Sequence, residues 1–158
     1  IGPKARNINK EYDFNDGEFN QLVYSMNRDI IDDYPLDLIS PVDWTDETQN
    51  INDRVRSYLD VNCGHCHSPT GNANSTGLYL HLNETRDIHL GVNKKPVATG
   101  RGSGGMKYSI VPGKPEESIL LHRMISLDPG VMMPESGRAL SHTEAVDMVR
   151  SWILLMKE

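Results

Sequence analysis

The sequence predicts a mostly α-helical fold with long loops, and three observations support that prediction. Apolar side chains recur at helical spacing between residues 51 and 62 and again between residues 145 and 156. No segment shows a long alternation of apolar and polar residues, which is the pattern of a half-buried strand. The length of 158 residues corresponds to about one domain of common size.

The first part of the chain, residues 1–50, is polar and contains Pro35 and Pro41. This composition predicts an irregular N-terminal arm or a linker. Within the arm, apolar residues at near-helical spacing predict one short helix over residues 18–31. We therefore divide the chain into an N-terminal extension, residues 1–50, and a main domain, residues 51–158.

The main domain begins with a predicted helix over residues 51–62, whose apolar residues share one face and which ends at Cys63. Residues 68–113 are rich in glycine and proline and predict loops. Pro115 predicts the start of a second helix, because proline suits the first helical turn. The sequence Ser141-His142-Thr143-Glu144 matches a capping box and predicts the start of the last helix.

Composition argues against several functions. The formal net charge of −6 disfavours nucleic acid as a partner, because phosphate binding needs a basic patch. No apolar run approaches the roughly 18 residues of a membrane span, and two cysteines are too few for a disulfide framework. The chain begins with Ile1 rather than Met, so we expect a mature form or a domain of a larger chain. If it is not a domain of a larger chain, we expect it to be a monomer.

One motif indicates specific chemistry. Cys63-Gly64-His65-Cys66-His67 matches C-x-x-C-H, the attachment sequence of c-type haem. Two thiols about one helical turn apart can add to the two vinyl groups of a haem, and the histidine that follows is directed towards the iron. The motif therefore predicts one covalently bound haem c, attached to Cys63 and Cys66, with His67 as an axial ligand.

A second axial ligand is predicted in the irregular segment before the last helix. Met133 is our candidate because it precedes Pro134, and a residue before proline favours extended geometry that presents its side chain away from the loop. Met132 is the alternative. Ligation by two histidines stays open as a minority interpretation, with the remaining histidines as its candidates: His65, His81, His89, His122 and His142.

The same letters contain a rival interpretation. Cys-Gly-His-Cys also forms the core of thiol–disulfide exchange sites, in which the first cysteine lies at a helix N-terminus that lowers its pKa. Here the predicted helix precedes Cys63, so the order is reversed. A zinc site is less favoured still, because no second C-x-x-C pair follows.

With these residues identified, the sequence resembles the class I, mono-haem cytochrome c domains of secreted bacterial proteins over residues 50–158. Three stretches support the resemblance: the segment 58–67, the run Pro112-Gly113-Lys114-Pro115-Glu116-Glu117-Ser118-Ile119-Leu120, and Met132-Met133-Pro134. The resemblance implies a cytochrome c-like helical fold with long loops around one covalently bound haem. It also implies that the helix before the motif crosses the last helix near Trp152 and Ile153.

The function predicted is one-electron transfer by an electron carrier that is not an enzyme, with His67 and Met133 as the iron ligands. The alternatives are a haem peroxidase or a redox or gas sensor with a labile sixth ligand. Candidate contacts to the haem propionates are Arg101, Lys107, Tyr108 and Arg123.

We expect a transient redox partner, because redox protein contacts are typically small. Similar modules are joined to carbohydrate-binding domains, so the resemblance implies a secreted copper-dependent polysaccharide monooxygenase as a partner. Covalent haem attachment takes place after export in bacteria. We therefore expect a periplasmic, outer-surface or secreted protein.

Overall fold

The structure is a computed structural model that describes residues 4–157. The first residues of the predicted extension, and Glu158, lie outside the described residues. The chain divides into two compact units, Ile1–Val42 and Asp43–Glu158. This division falls before the boundary at residues 50 and 51 that we predicted from the sequence.

The N-terminal unit contains a β-hairpin between short helices. Its elements are α1 (Ala5–Ile8), β1 (Glu11–Phe14), β2 (Gly17–Asn20) and α2 (Gln21–Met26). The antiparallel strands pair Tyr12 with Phe19 and Phe14 with Gly17. Tyr24 of α2 stacks on Phe14, with ring centroids 3.6 Å apart. Aromatic contacts between the hairpin and α2 therefore stabilise this unit.

The described residues of the second unit form four α-helices and several short turns. Its α-helices are α3 (Ile51–Asn62), α4 (Asp87–Leu90), α5 (Ile119–Ile125) and α6 (Thr143–Leu155), and its 3-10 turns are Asn74–Thr76, Gly100–Ser103 and Pro115–Glu117. Both α3 and α5 pack against α6. Among residues 4–157, no helix is long and apolar enough to cross a membrane.

The core lies where α3 meets α6. Val55 and Leu59 of α3, and Val149 and Ile153 of α6, are completely buried, as expected for two amphipathic helices that share an apolar interface. A side-chain hydrogen bond from Trp152 Nε1 to Asn52 Oδ1, 3.1 Å long, joins the same two helices. The crossing places the end of α3, and with it Cys63, beside the core.

The predicted fold class, a mostly α, cytochrome c-like helical fold with an irregular N-terminal arm, is wrong. Helices account for only 36% of the structure and extended residues for 8%. The arm contains a two-stranded sheet. Within the described part of the chain, no group of three His, Cys, Asp or Glu side chains is arranged to hold a metal ion. The physical reason for the low helix content is the glycine and proline of residues 68–113, where the one α-helix described, α4, has four residues.

Two helix starts also differ from the sequence prediction. The predicted helix over residues 18–31 is limited to α2, because Asn20 caps its first turn by accepting a hydrogen bond from the Leu22 amide. The predicted capping box is not formed, since Ser141 Oγ donates instead to the Met124 carbonyl at 3.2 Å. By contrast, α3 covers the predicted residues 51–62.

Candidate functional site

The C-x-x-C-H residues form a tight turn at the end of α3, which we call the CxxCH turn (residues 63–67). The Cys63 amide still donates to the Leu59 carbonyl at 2.8 Å, so the turn continues directly from the helix. The Cys63 carbonyl then accepts hydrogen bonds from the amides of Cys66, at 3.1 Å, and His67, at 2.9 Å. Both cysteines are free thiols. The structure thus places Cys63, Cys66 and His67 on one turn, and their role in haem attachment stays a prediction.

Two glycines allow this turn to close. A Cβ on Gly64 would lie 2.8 Å from the Asp60 carbonyl oxygen. A Cβ on Gly71 would overlap the Cys66 carbonyl and lie 2.7 Å from the His65 carbonyl oxygen. These separations are too short for real side chains, so both positions require glycine.

The environment of Cys63 disfavours its thiolate. Although Cys63 keeps some exposed surface, its side chain packs against the core. Desolvation raises the pKa of Cys63 to about 12, with the nearby Cys66 adding to the rise. Cysteines that exchange disulfides need the opposite, a lowered pKa. The thiol–disulfide interpretation therefore loses support.

The surroundings of His67 favour its neutral imidazole. Burial lowers the pKa of His67, a hydrogen bond with the Leu78 backbone opposes that shift, and electrostatic interactions with Arg123 and His65 lower the pKa further. The neutral ring is the form that binds metals. Its Nδ1 is buried and has no hydrogen-bond partner among residues 4–157, and an unsatisfied buried polar atom is costly.

Met132 and Met133 lie in a separate segment, which we call the methionine loop (residues 128–134). Both methionines are partly buried. The Met132 amide donates to the Asp128 carbonyl at 2.7 Å, and the Met133 amide donates to the Arg123 carbonyl at 2.9 Å. None of the hydrogen bonds described for the loop joins it to the CxxCH turn. The structure therefore ties Met133 to α5 and leaves its predicted pairing with His67 a prediction.

Arg123 contacts the methionine loop and also contributes to the lowered pKa of His67. Its Nε donates to the Val131 carbonyl of the methionine loop at 2.8 Å. Its charge also acts on His67 of the CxxCH turn. Desolvation lowers the pKa of Arg123 itself, while Glu135 opposes that shift. Of the arginines proposed for the propionates, Arg101 is instead an exposed side chain paired with Asp128 at 2.9 Å.

Three of the remaining histidines have side-chain contacts that account for their positions. His89 Nδ1 lies 3.0 Å from the Gly77 carbonyl, and its ring stacks on Tyr79. His142 Nδ1 lies 3.0 Å from the Tyr58 hydroxyl. His81 and Glu84 form a longer ion-pair contact of 3.9 Å. Each of these contacts involves one ring nitrogen, so histidine ligation of the iron stays a prediction that the contacts do not test.

Sequence reasoning missed the arginines that organise the loops. Arg138 donates to the Met124 carbonyl at 2.8 Å and to the Arg123 carbonyl at 3.1 Å. One nitrogen of Arg56 donates to three loop carbonyls, those of His81, Leu82 and Glu84. No local pattern indicates such long-range bonds. The sequence does contain a signal for Gly71, because this glycine follows the motif in a Ser-Pro-Thr-Gly sequence that is typical of turns.

Comparisons with known proteins add no further assignment to these residues. No model of a protein family matches the chain. No curated protein matches it either, and no solved structure does.

Proposed function

We propose that this protein is an electron carrier that holds one haem c through thioether bonds to Cys63 and Cys66, with His67 and Met133 as axial ligands. The observation that carries the proposal is the CxxCH turn itself. It presents two free thiols and an imidazole on one hydrogen-bonded turn at a helix end, in the order that haem attachment requires.

The residues present fit such a group. The thiols of Cys63 and Cys66 are not used in a disulfide. The buried Nδ1 of His67 lacks a hydrogen-bond partner among the described residues, so this nitrogen is open to a further bond. The bound haem would supply a one-electron Fe(III)/Fe(II) couple.

The chain's own residues would hold and tune that couple. Cys63 packs against the core formed by α3 and α6, so this attachment point is rigid. His67 and Met133 would hold the iron, and a methionine ligand would give a higher reduction potential than a second histidine. With both ligands in place there would be no open position for peroxide or oxygen, which favours a carrier over a peroxidase or a gas sensor.

The partner we propose is a secreted redox protein that docks transiently. A chain of net charge −6 favours a partner with a neutral or positive docking patch. Such a contact is expected to bury less than about 1,200 Å². A copper-dependent polysaccharide monooxygenase is the partner class that the family resemblance supports, with the periplasm, cell surface or medium as the compartment.

The test is the mass of the denatured protein after expression in a periplasm that matures haem c. We expect one haem to stay bound to the unfolded chain, with no thiol left to alkylate. A Cys63→Ala/Cys66→Ala variant, matured in the same cells, is the control without attachment points. An unmodified wild-type mass with two alkylatable thiols would refute the proposal.

A further inference from the structure

We propose that Arg123 is a positioning residue that determines which methionine of the loop is the axial ligand, by binding the loop backbone on both sides of Met132. This inference rests on the proposed function. It concerns how the chain selects Met133, which the motif and the spacing leave open.

Arg123 makes two hydrogen bonds with the methionine loop, one through its backbone and one through its side chain. Its backbone carbonyl accepts from the Met133 amide at 2.9 Å. Its side-chain Nε donates to the Val131 carbonyl at 2.8 Å. Because the two bonds bracket Met132, a shift of the loop by one residue would break both of them. The pair of bonds therefore fixes the register of the loop on α5.

The Arg123 side chain is itself held in place. Gly102 is buried, and a Cβ there would lie 3.2 Å from the Arg123 guanidinium carbon. The absence of a side chain at Gly102 thus leaves room for the guanidinium. Arg138 also donates to the Arg123 carbonyl at 3.1 Å, the same backbone group that accepts from the Met133 amide. Both parts of Arg123 that bind the loop therefore have further contacts of their own.

The experiment compares Arg123→Gln and Arg123→Lys in the mature haem-loaded protein. The readouts are the long-wavelength absorption band of a Met–Fe(III) bond, the reduction potential, and carbon monoxide binding to the ferrous protein. We expect both variants to keep the covalent haem, lose most of the band, fall in potential and bind carbon monoxide. Lysine preserves the charge, so loss of the band in Arg123→Lys assigns the effect to geometry.

Arg54→Gln is the matched control. Arg54 is also partly buried, and its Nε donates to the Trp44 carbonyl at the same 2.8 Å. We expect its band and potential to equal those of the wild type. A similar loss in the Arg54 variant would overturn the inference, because the effect would then be general destabilisation.

Two results separate this inference from the proposed function. If the wild type has covalent haem and the methionine band, and the Arg123 variants show the same band and potential, the role of Arg123 alone is overturned. A wild type without haem overturns both. If Arg123→Gln fails to fold, Gly102→Ala is the second test, because the added Cβ would lie 3.2 Å from the guanidinium carbon and shift it by a few tenths of an ångström while Arg123 is retained; an unchanged band there counts against the inference.

Discussion

The CxxCH turn and the methionine loop are stabilised in different ways. The turn is held by backbone bonds between near neighbours, such as the bond from the His67 amide to the Cys63 carbonyl, and by close approaches at Gly64 and Gly71. The loop has local bonds of its own at Asp128, and it is also held by α5 and by the side chains of Arg123 and Arg101 from outside it. The difference teaches that the turn is encoded locally, whereas the loop also needs contacts from residues outside it.

The largest expected effect comes from removing the attachment points of the turn. We expect Cys63→Ala/Cys66→Ala to abolish covalent haem completely, because no other thiol exists in the chain. Removing the loop's candidate ligand with Met133→Leu should leave attachment intact. Haem staining after denaturing electrophoresis measures both. Covalent haem in the double variant would show that the turn is not the attachment site.

The next effect tests whether the turn tolerates local change. Gly71→Ala places a Cβ against the Cys66 carbonyl, so we expect a loss of about 3 kcal/mol in stability and a lower yield of attached haem. Gly105→Ala is the control, since its Cβ would meet no atom within 4 Å; its positive φ of 79° costs about 1–2 kcal/mol. Chemical denaturation and haem yield are the measurements, and equal yields would contradict local encoding of the turn.

A smaller effect separates the two methionines of the loop. Met133→His should lower the reduction potential by a fraction of the roughly 0.8 V that axial ligands span, because imidazole replaces a thioether. Met132→Leu should change it little. Potentiometric titration of both variants checks this. An unchanged potential in Met133→His would remove Met133 from the site.

The smallest effect concerns a local ion pair apart from both segments. Glu84 accepts bonds from the Arg86 side chain at 2.8 Å, and these hold the pKa of Glu84 at about 2 against an ordinary 4.5. A lowered folded-state pKa stabilises the fold above pH 4.5, and that contribution is lost as pH falls towards 2. We expect the free energy of unfolding of Glu84→Gln to change less between pH 4.5 and pH 2 than that of the wild type.

The control for Glu84 is Glu117→Gln. This substitution also removes one carboxylate. The Glu117 side chain is 65% exposed, and its contact with Lys114 is long, at 4.0 Å, so its contribution to stability is small. Urea unfolding at several pH values compares the two variants. A Glu84→Gln profile as steep as that of the wild type would show that the ion pair does not stabilise the fold.

Local patterns explain what the sequence could predict. The helix α3 was predicted with its observed bounds, because a periodic apolar face and the cap at Asn50 agree. The β-hairpin was missed although Glu11-Tyr12-Asp13-Phe14 alternates polar and apolar residues, since four residues are too few to separate a strand from a loop. The bonds of Arg123 and Arg138 join residues 8 and 15 positions apart and leave no periodic signal.

The central claim is that the CxxCH turn binds a haem whose other ligand comes from the methionine loop. The most direct test is the visible spectrum of the protein matured in a haem-c-competent periplasm, oxidised and then reduced with dithionite. We predict a sharp α band in the reduced protein and the weak long-wavelength band of a Met–Fe(III) bond in the oxidised protein. A haem spectrum without the latter band would contradict the role of the methionine loop, and a colourless protein would contradict the claim as a whole.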